Sequence, residues 1–389
     1  MGDMRRALRW LVVVAVLLVL VFYVGGGWYF AGRINSGALA VQHPADKAVE
    51  LVDRKAGEVT LREIEEDISA LEGNARYGLV WDGGHGEVYG APTKTSGSER
   101  TEVTRSFRVT GGVPPTAGET VRVDRDVYPP KDPSKTLGTR VLEVEYTSPA
   151  GTFGAWFAPG RGRTWVILTH GGLGSDRSEA LRAMQTTTDL RLPSLAIEYR
   201  NDREVPQDPS GRYQYGRTEW RDLEGAVRYA LDRGAARVTL VGYSMGAAIT
   251  AAFLQHSSLA SNVTRVVLDS PMLDLRRTIQ YGATQVPLPV FGSPPESLMW
   301  VAERIASARY DLDWDAVDYL DDPSWLTVPA LVFQGQQDLR VPVDTGSRLR
   351  SAEPDLVTLV AVNGAGHVES WNMDPQAYDD QLTGFLTRP

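Results

Sequence analysis

The chain has 389 residues, with 40 Lys+Arg against 49 Asp+Glu, 42% hydrophobic residues and no Cys. That length suits two or three domains with a sizeable core, and a net charge of −9 with no basic tail argues against nucleic acid as a partner. Without Cys there is no disulfide, Cys–zinc site, thiol nucleophile or lipidated anchor, and no lysine follows Lys135, so Ser–Lys chemistry in residues 136–389 would need an amine from the N-terminal third.

From Trp10 to Gly32 no residue is charged. As a helix this run spans ~34 Å, slightly more than the ~30 Å hydrocarbon core of a bilayer. Arg5, Arg6 and Arg9 precede it, and Trp28, Tyr29 and Phe30 close it. The positive-inside rule therefore places residues 1–9 in the cytoplasm and the body of the protein outside. The expected reading is an uncleaved anchor over residues 10–32. A cleaved signal peptide is less consistent, because its apolar region is usually shorter and the A-x-A-like site Ala38-Leu39-Ala40 lies well past the run. A buried core helix is the third reading. Residues 33–48 are expected to form a stalk.

Residues 49–135 favour strands. Val49, Leu51 and Val59, Leu61 flank a turn at Lys55-Ala56-Gly57, and Tyr77–Asp82 and Glu87–Tyr89 flank Gly83-Gly84-His85-Gly86. Ser106–Thr110 and Thr120–Asp124 alternate with period two, while Glu63–Glu72 suits one short helix. The expectation is a small β-rich domain bounded near Pro129–Ser134.

Beyond that boundary Val141–Tyr146 and Phe153–Phe157 read as a hairpin. Continuous apolar runs follow at Trp165–Leu168, Leu195–Ile197, Val238–Val241, Val266–Leu268, Ala330–Phe333 and Val357–Val362. Such runs suit strands covered on both faces. Helical stretches at Asp176–Asp189, Glu219–Arg233, Met245–His256, Glu296–Tyr310, Asp344–Ala352 and Pro375–Thr387 alternate with them, which predicts an open α/β sheet. Residues 276–324, between two core strands, are the natural place for a lid. They hold Met299, Trp300, Trp314 and a Pro-rich turn through Pro287, Pro289, Pro294 and Pro295.

Val238–Val241 leads directly into Gly242-Tyr243-Ser244-Met245-Gly246 and then a helix. A nucleophile on a sharp strand-to-helix turn holds a strained backbone, so its flanking positions must be small. The turn exposes the Ser244 hydroxyl and aims the Met245 N–H at the space of an oxyanion. Serine needs a base. Of five histidines, His367 follows a strand in a Gly-rich loop, which favours it over His43, His85, His170 and His256. Asp338 follows the strand Ala330–Phe333 and is the expected orienting carboxylate; Asp269, at the end of Val266–Leu268, is its competitor. The second oxyanion donor is expected from His170-Gly171-Gly172-Leu173-Gly174, with the N–H of Gly172 first and Leu173 second. Tyr199-Arg200-Asn201-Asp202 and Arg177 fit structural roles better than substrate contacts.

Residues 136–389 resemble the α/β-hydrolase superfamily, on the H-G-G loop at 170–172, the G-x-S-x-G turn at 242–246, the G-x-x-D strand end at 335–338 and the G-H loop at 366–367. Within it the chain looks like bacterial single-span members described as prolyl-oligopeptidase-like or dienelactone-hydrolase-like. The resemblance implies an eight-stranded, mostly parallel sheet flanked by helices, an acyl-serine intermediate and no cofactor. Residues 34–135 are too few for the propeller of a prolyl oligopeptidase.

The expected function is thus a membrane-anchored, extracytoplasmic serine hydrolase acting on an ester or thioester, with Ser244, His367 and Asp338 catalytic and Met245 and Gly172 forming the oxyanion hole. Its expected partners are an acyl or other small-molecule substrate and the membrane, engaged through the one N-terminal helix. A peptidase or acyltransferase using the same residues is the alternative within chemistry, and a catalytically silent binding module the alternative outside it. No histidine cluster has metal-ligand spacing, so no metal is expected.

Overall fold

The computed structural model describes residues 2–43, 48–64, 69–96, 101–127, 132–285 and 292–388. The N-terminal segment is one continuous helix. It is α-helical over Gly2–Leu20 and Gly26–Ile34, with wider π turns at Val21–Gly25 and Asn35–Leu39. Met4–Leu39 is long and apolar enough to cross a membrane, and its most apolar window is unburied. The expected stalk at 33–48 is corrected here: helix persists to Leu39, and Ala31, Ile34 and Leu39 are buried in the core of the main domain. Apolar residues at helical spacing continue past Arg33, so the helix gains more by packing than by extending into solvent. Residues 44–47 lie outside the described set.

Six strands follow: β1 (Ala48–Lys55), β2 (Glu58–Glu63), β3 (Tyr77–Trp81), β4 (Gly84–Ser96), β5 (Thr101–Gly112) and β6 (Thr120–Asp124). They close into a barrel in the order β1-β2-β5-β4-β3-β6, with Val49 opposite Val121 at the seam. Alternation decides what lies inside: Val49, Leu51, Val59 and Leu61 are buried while their neighbours reach solvent. Closure leaves no long edge to be covered, which suits so small a unit. Arg105 is buried among these apolar groups and donates to the carbonyls of Leu71 (2.8 Å) and Ala75 (2.7 Å). Of the helix expected at Glu63–Glu72, residues 65–68 are outside the described set and Ser69–Glu72 is a 3-10 turn. The expected boundary at Pro129–Ser134 also falls partly outside it.

The main domain is the α/β-hydrolase fold. Its strands are β7 (Leu142–Ser148), β8 (Gly151–Ala158), β9 (Thr164–Thr169), β10 (Ser194–Ile197), β11 (Arg237–Tyr243), β12 (Val263–Asp269), β13 (Ala330–Gly335) and β14 (Val357–Val362). They form one eight-stranded sheet in the order β14-β13-β12-β11-β9-β10-β8-β7. The β7–β8 and β8–β10 pairs are antiparallel and the others parallel. The apolar runs bury both faces: Trp165 and Ile167 pack into one layer, Val166 and Leu168 into the other. The first layer holds the helices Trp220–Asp232, Met245–His256 and Glu296–Tyr310; the second holds Leu181–Asp189 and Pro375–Leu386. A helix at Leu275–Thr284 is not legible in the sequence.

The barrel touches the main domain at the loop after β14. Tyr77 Oη donates to Glu369 Oε1 (2.8 Å), and Asn372 Nδ2 donates to the carbonyls of Arg76 and Arg125 (2.7 Å each). Tyr77→Phe is expected to lower unfolding free energy by about 2 kcal/mol, the usual net worth of a hydrogen bond to a carboxylate. Urea denaturation of the two proteins measures it.

Candidate active site

Parallel pairing sets the site's position. Gly242 lies beside Thr169, Tyr243 beside Asp269, and Asp269 beside Phe333, so the C-terminal ends of β9, β11, β12 and β13 meet at one edge. Ser244 follows β11 with φ +47° and ψ −113°, a strained conformation at a strand-to-helix corner. Its N–H donates to the Asp269 carbonyl (2.9 Å), and its carbonyl accepts from Ala247 N–H (3.0 Å). The corner needs glycine at 246: a Cβ there would lie 2.2 Å from the Thr169 carbonyl oxygen. The small flanking residues are thus a steric requirement of helix against strand.

His367 sits on the loop after β14. Its Nε2 is 2.8 Å from Ser244 Oγ and its Nδ1 is 2.8 Å from Asp338 Oδ2. Asp338 is fully buried. Its other oxygen, Oδ1, accepts the backbone N–H groups of Arg340 (2.8 Å) and Val341 (2.9 Å). A carboxylate can only accept, so His367 Nδ1 carries a proton and Nε2 is free to accept from the serine hydroxyl. Tyr281 Oη donates to the Asp338 carbonyl (2.9 Å) and ties Leu275–Thr284 to this strand end. The competitor Asp269 does not meet His367. It is buried near Arg182 and Tyr378, and burial pushes its carboxyl up to about 7.

Gly172 and Met245 line the same cavity as Ser244 and His367. They are adjacent: a Cβ on Gly172 would lie 3.0 Å from Met245 Sδ. Leu173 follows with φ +55°. The loop is held from below. Gly171 N–H donates to Glu179 (2.7 Å), and Tyr199 Oη donates to the Gly171 carbonyl (2.6 Å). His170 is buried, with Nδ1 2.8 Å from the Gly171 carbonyl and Nε2 2.9 Å from Asp202 Oδ2. Both partners accept, so both ring nitrogens donate and the ring is an imidazolium. Burial alone would lower its pKa; the Asp202 carboxylate outweighs burial and raises it to about 9. The stability it contributes is therefore complete below about pH 6.5 and is lost as pH rises through about 9. Thermal melts across that range are expected to show a fall in Tm that is reduced in His170→Asn.

Tyr199 and Asp202 thus support the 170–172 loop, Arg200 pairs with buried Asp222 (2.7 Å), and Arg177 pairs with Glu198 (2.9 Å). His85 lies in the barrel beside Thr110, and His256 packs against Trp220. Within the expected lid, Met299 lines the cavity, Trp314 is buried, and Pro287 and Pro289 lie outside the described residues.

The cavity measures about 590 Å³. Part of its wall comes from an unexpected source, the N-terminal helix, through Tyr29, Phe30, Arg33 and Ile34. The sequence signal for this is the spacing of Gly27, Ala31 and Ile34, one apolar face continuing beyond the charge-free run. Arg125 and Arg340, also in the wall, carry no such signal.

Among solved structures the chain is similar to the esterase Pf2001 of Pyrococcus furiosus. In two crystal forms it aligns at 20% identity and TM-score 0.51 over 66% of this chain and 95% or 93% of that one. The carboxylesterase CesB of Bacillus subtilis aligns at 13% identity and TM-score 0.45, over 66% of this chain and 95% of that one. The likeness to Pf2001 is one of fold. No protein-family model and no curated protein matches the chain.

Proposed function

We propose that this protein is a membrane-anchored serine hydrolase, with its catalytic domain outside the cytoplasm, that cleaves a carboxylic ester or thioester. One observation carries the reading: Ser244 Oγ, His367 and Asp338 form an unbroken hydrogen-bonded chain, each link 2.8 Å, and Ser244 and His367 line a cavity. Ser244 Oγ attacks the carbonyl carbon while His367 Nε2 takes its proton. The oxyanion is held by the N–H groups of Met245 and Gly172. The C–O or C–S bond then breaks, and His367 returns the proton to the leaving group. Water repeats the sequence on the acyl-serine and releases the acid. Arg5, Arg6 and Arg9 before the apolar helix support an N-terminus in the cytoplasm.

A fluorophosphonate probe tests this directly. Incubated with the purified full chain, it is expected to form one adduct, which mass spectrometry locates on Ser244. A folded protein that stays unlabelled, or labels elsewhere, overturns the reading.

A further inference from the structure

We propose that the substrate is an acyl ester of an anionic glycerophospholipid, drawn sideways from the leaflet where the N-terminal helix leaves the bilayer. The inference rests on the hydrolase reading above and extends it to a substrate class.

The first argument is one of length. A helix needs about 20 residues to cross the hydrocarbon core. Counted from Trp10, the first residue of the charge-free run, that distance ends near Tyr29. The cavity wall begins at Tyr29 and continues through Phe30, Arg33 and Ile34. The helix is continuous from Gly2 to Leu39, so no flexible joint separates the membrane surface from the cavity.

The second argument is rigidity. Gly27 lets the helix press against Glu296–Tyr310, where a Cβ would lie 2.6 Å from Val301 Cγ1. Tyr23 Oη and Ser297 Oγ are 2.9 Å apart, Arg212 Nε donates to Asn35 Oδ1 (2.8 Å), and Tyr215 Oη donates to the Ala38 carbonyl (2.6 Å). Tyr23 and Gly27 fall within the roughly 20 residues counted from Trp10, so the start of Glu296–Tyr310, with Ser297 and exposed Trp300, dips below the level of Tyr29 into the interface and holds the catalytic domain against the bilayer at a fixed height. Trp28, Tyr29 and Trp300 are 55%, 60% and 57% exposed around this junction. Such aromatic side chains favour the headgroup level of a membrane.

The third argument is the chemistry of the cavity. Its interior is apolar, with Phe30, Ile34, Met272, Ile279 and Met299 leading to Ser244. That suits an acyl chain lying with its ester at the serine. The cations are at its wall. Arg33 and Arg340 are solvent-exposed and have no ion-pair partner among the described residues, whereas Arg125 is paired with Glu179 (3.3 Å). In a chain of net charge −9, two unpaired guanidinium groups at one cavity fit a phosphodiester. Attack of Ser244 Oγ on the acyl carbonyl breaks the ester C–O bond. The lysophospholipid leaves with the proton from His367, and water then releases the fatty acid from Ser244.

The full chain is reconstituted into phosphatidylglycerol vesicles and, separately, phosphatidylcholine vesicles; released fatty acid, p-nitrophenyl butyrate hydrolysis and fluorophosphonate labelling are all measured. The expected result is fatty acid from the phosphatidylglycerol bilayer that holds the protein, little from added protein-free vesicles, and none with Ser244→Ala. The double variant Arg33→Gln/Arg340→Gln is expected to lower the phosphatidylglycerol-to-phosphatidylcholine rate ratio at least tenfold; an unchanged ratio overturns the anionic headgroup. Equal release from protein-free vesicles overturns sideways access. A labelled Ser244 with butyrate hydrolysis but no fatty acid overturns the lipid substrate and leaves the hydrolase reading standing. Absence of labelling and of all hydrolysis overturns both.

Discussion

Ser244→Ala is expected to reduce kcat for a p-nitrophenyl ester by roughly 10³- to 10⁶-fold, leaving only the contribution of binding and the oxyanion donors. The fold should tolerate the change. Ser244 is held in place by its backbone, through the Asp269 carbonyl and Ala247 N–H, and the hydroxyl bonds only to His367 among the described residues. Alanine keeps the Cβ, so the strain at φ +47° is the same in both proteins. A melting temperature equal to wild type, measured beside the rate, separates loss of chemistry from loss of fold. Turnover within tenfold of wild type would place the nucleophile elsewhere.

Asp338→Asn is expected to cost about 10⁴ in kcat by forcing the wrong tautomer on His367. The direction follows from the hydrogen bonds. Two backbone N–H groups, of Arg340 and Val341, point at Oδ1. An asparagine must offer its carbonyl oxygen to them, which turns its NH₂ toward His367 Nδ1. The ring then accepts at Nδ1 and carries its proton on Nε2, where it faces Ser244 Oγ and cannot act as a base. Asp269→Asn is the matching control. Among the described residues that carboxyl meets the Ser270 and Ser370 hydroxyls and makes no hydrogen bond to His367, so kcat should stay within tenfold. The opposite pattern would make Asp269 the orienting acid.

Much of this site is legible in the amino-acid order. Ser244 stands out because a strand, a G-x-S-x-G turn and a helix occupy one window, and the requirement for Gly246 is local: helix backbone against the end of β9. His367 and Asp338 stand out because each follows a strand-like run. Other parts are not legible. Tyr77 reaches Glu369 across 292 positions, and nothing near either residue signals the pair. Arg33 reads as the start of a stalk, since a charge after an apolar run usually marks the end of a span.

Period, turn sterics and helix length act over a few neighbouring residues, so the sheet strands, the strand-to-helix corner at Ser244 and the apolar N-terminal helix follow from local sequence. Two other features depend on long-range packing: which carboxylate meets His367, and the placing of the N-terminal helix as a wall of the cavity that Ser244 and His367 line. Asp338 and Asp269 both end strands of the same sheet, and the paths of their loops alone separate them. Ile34 and Leu39 are apolar in any setting, and only packing against Glu296–Tyr310 and the core beside it turns that face of the helix inward.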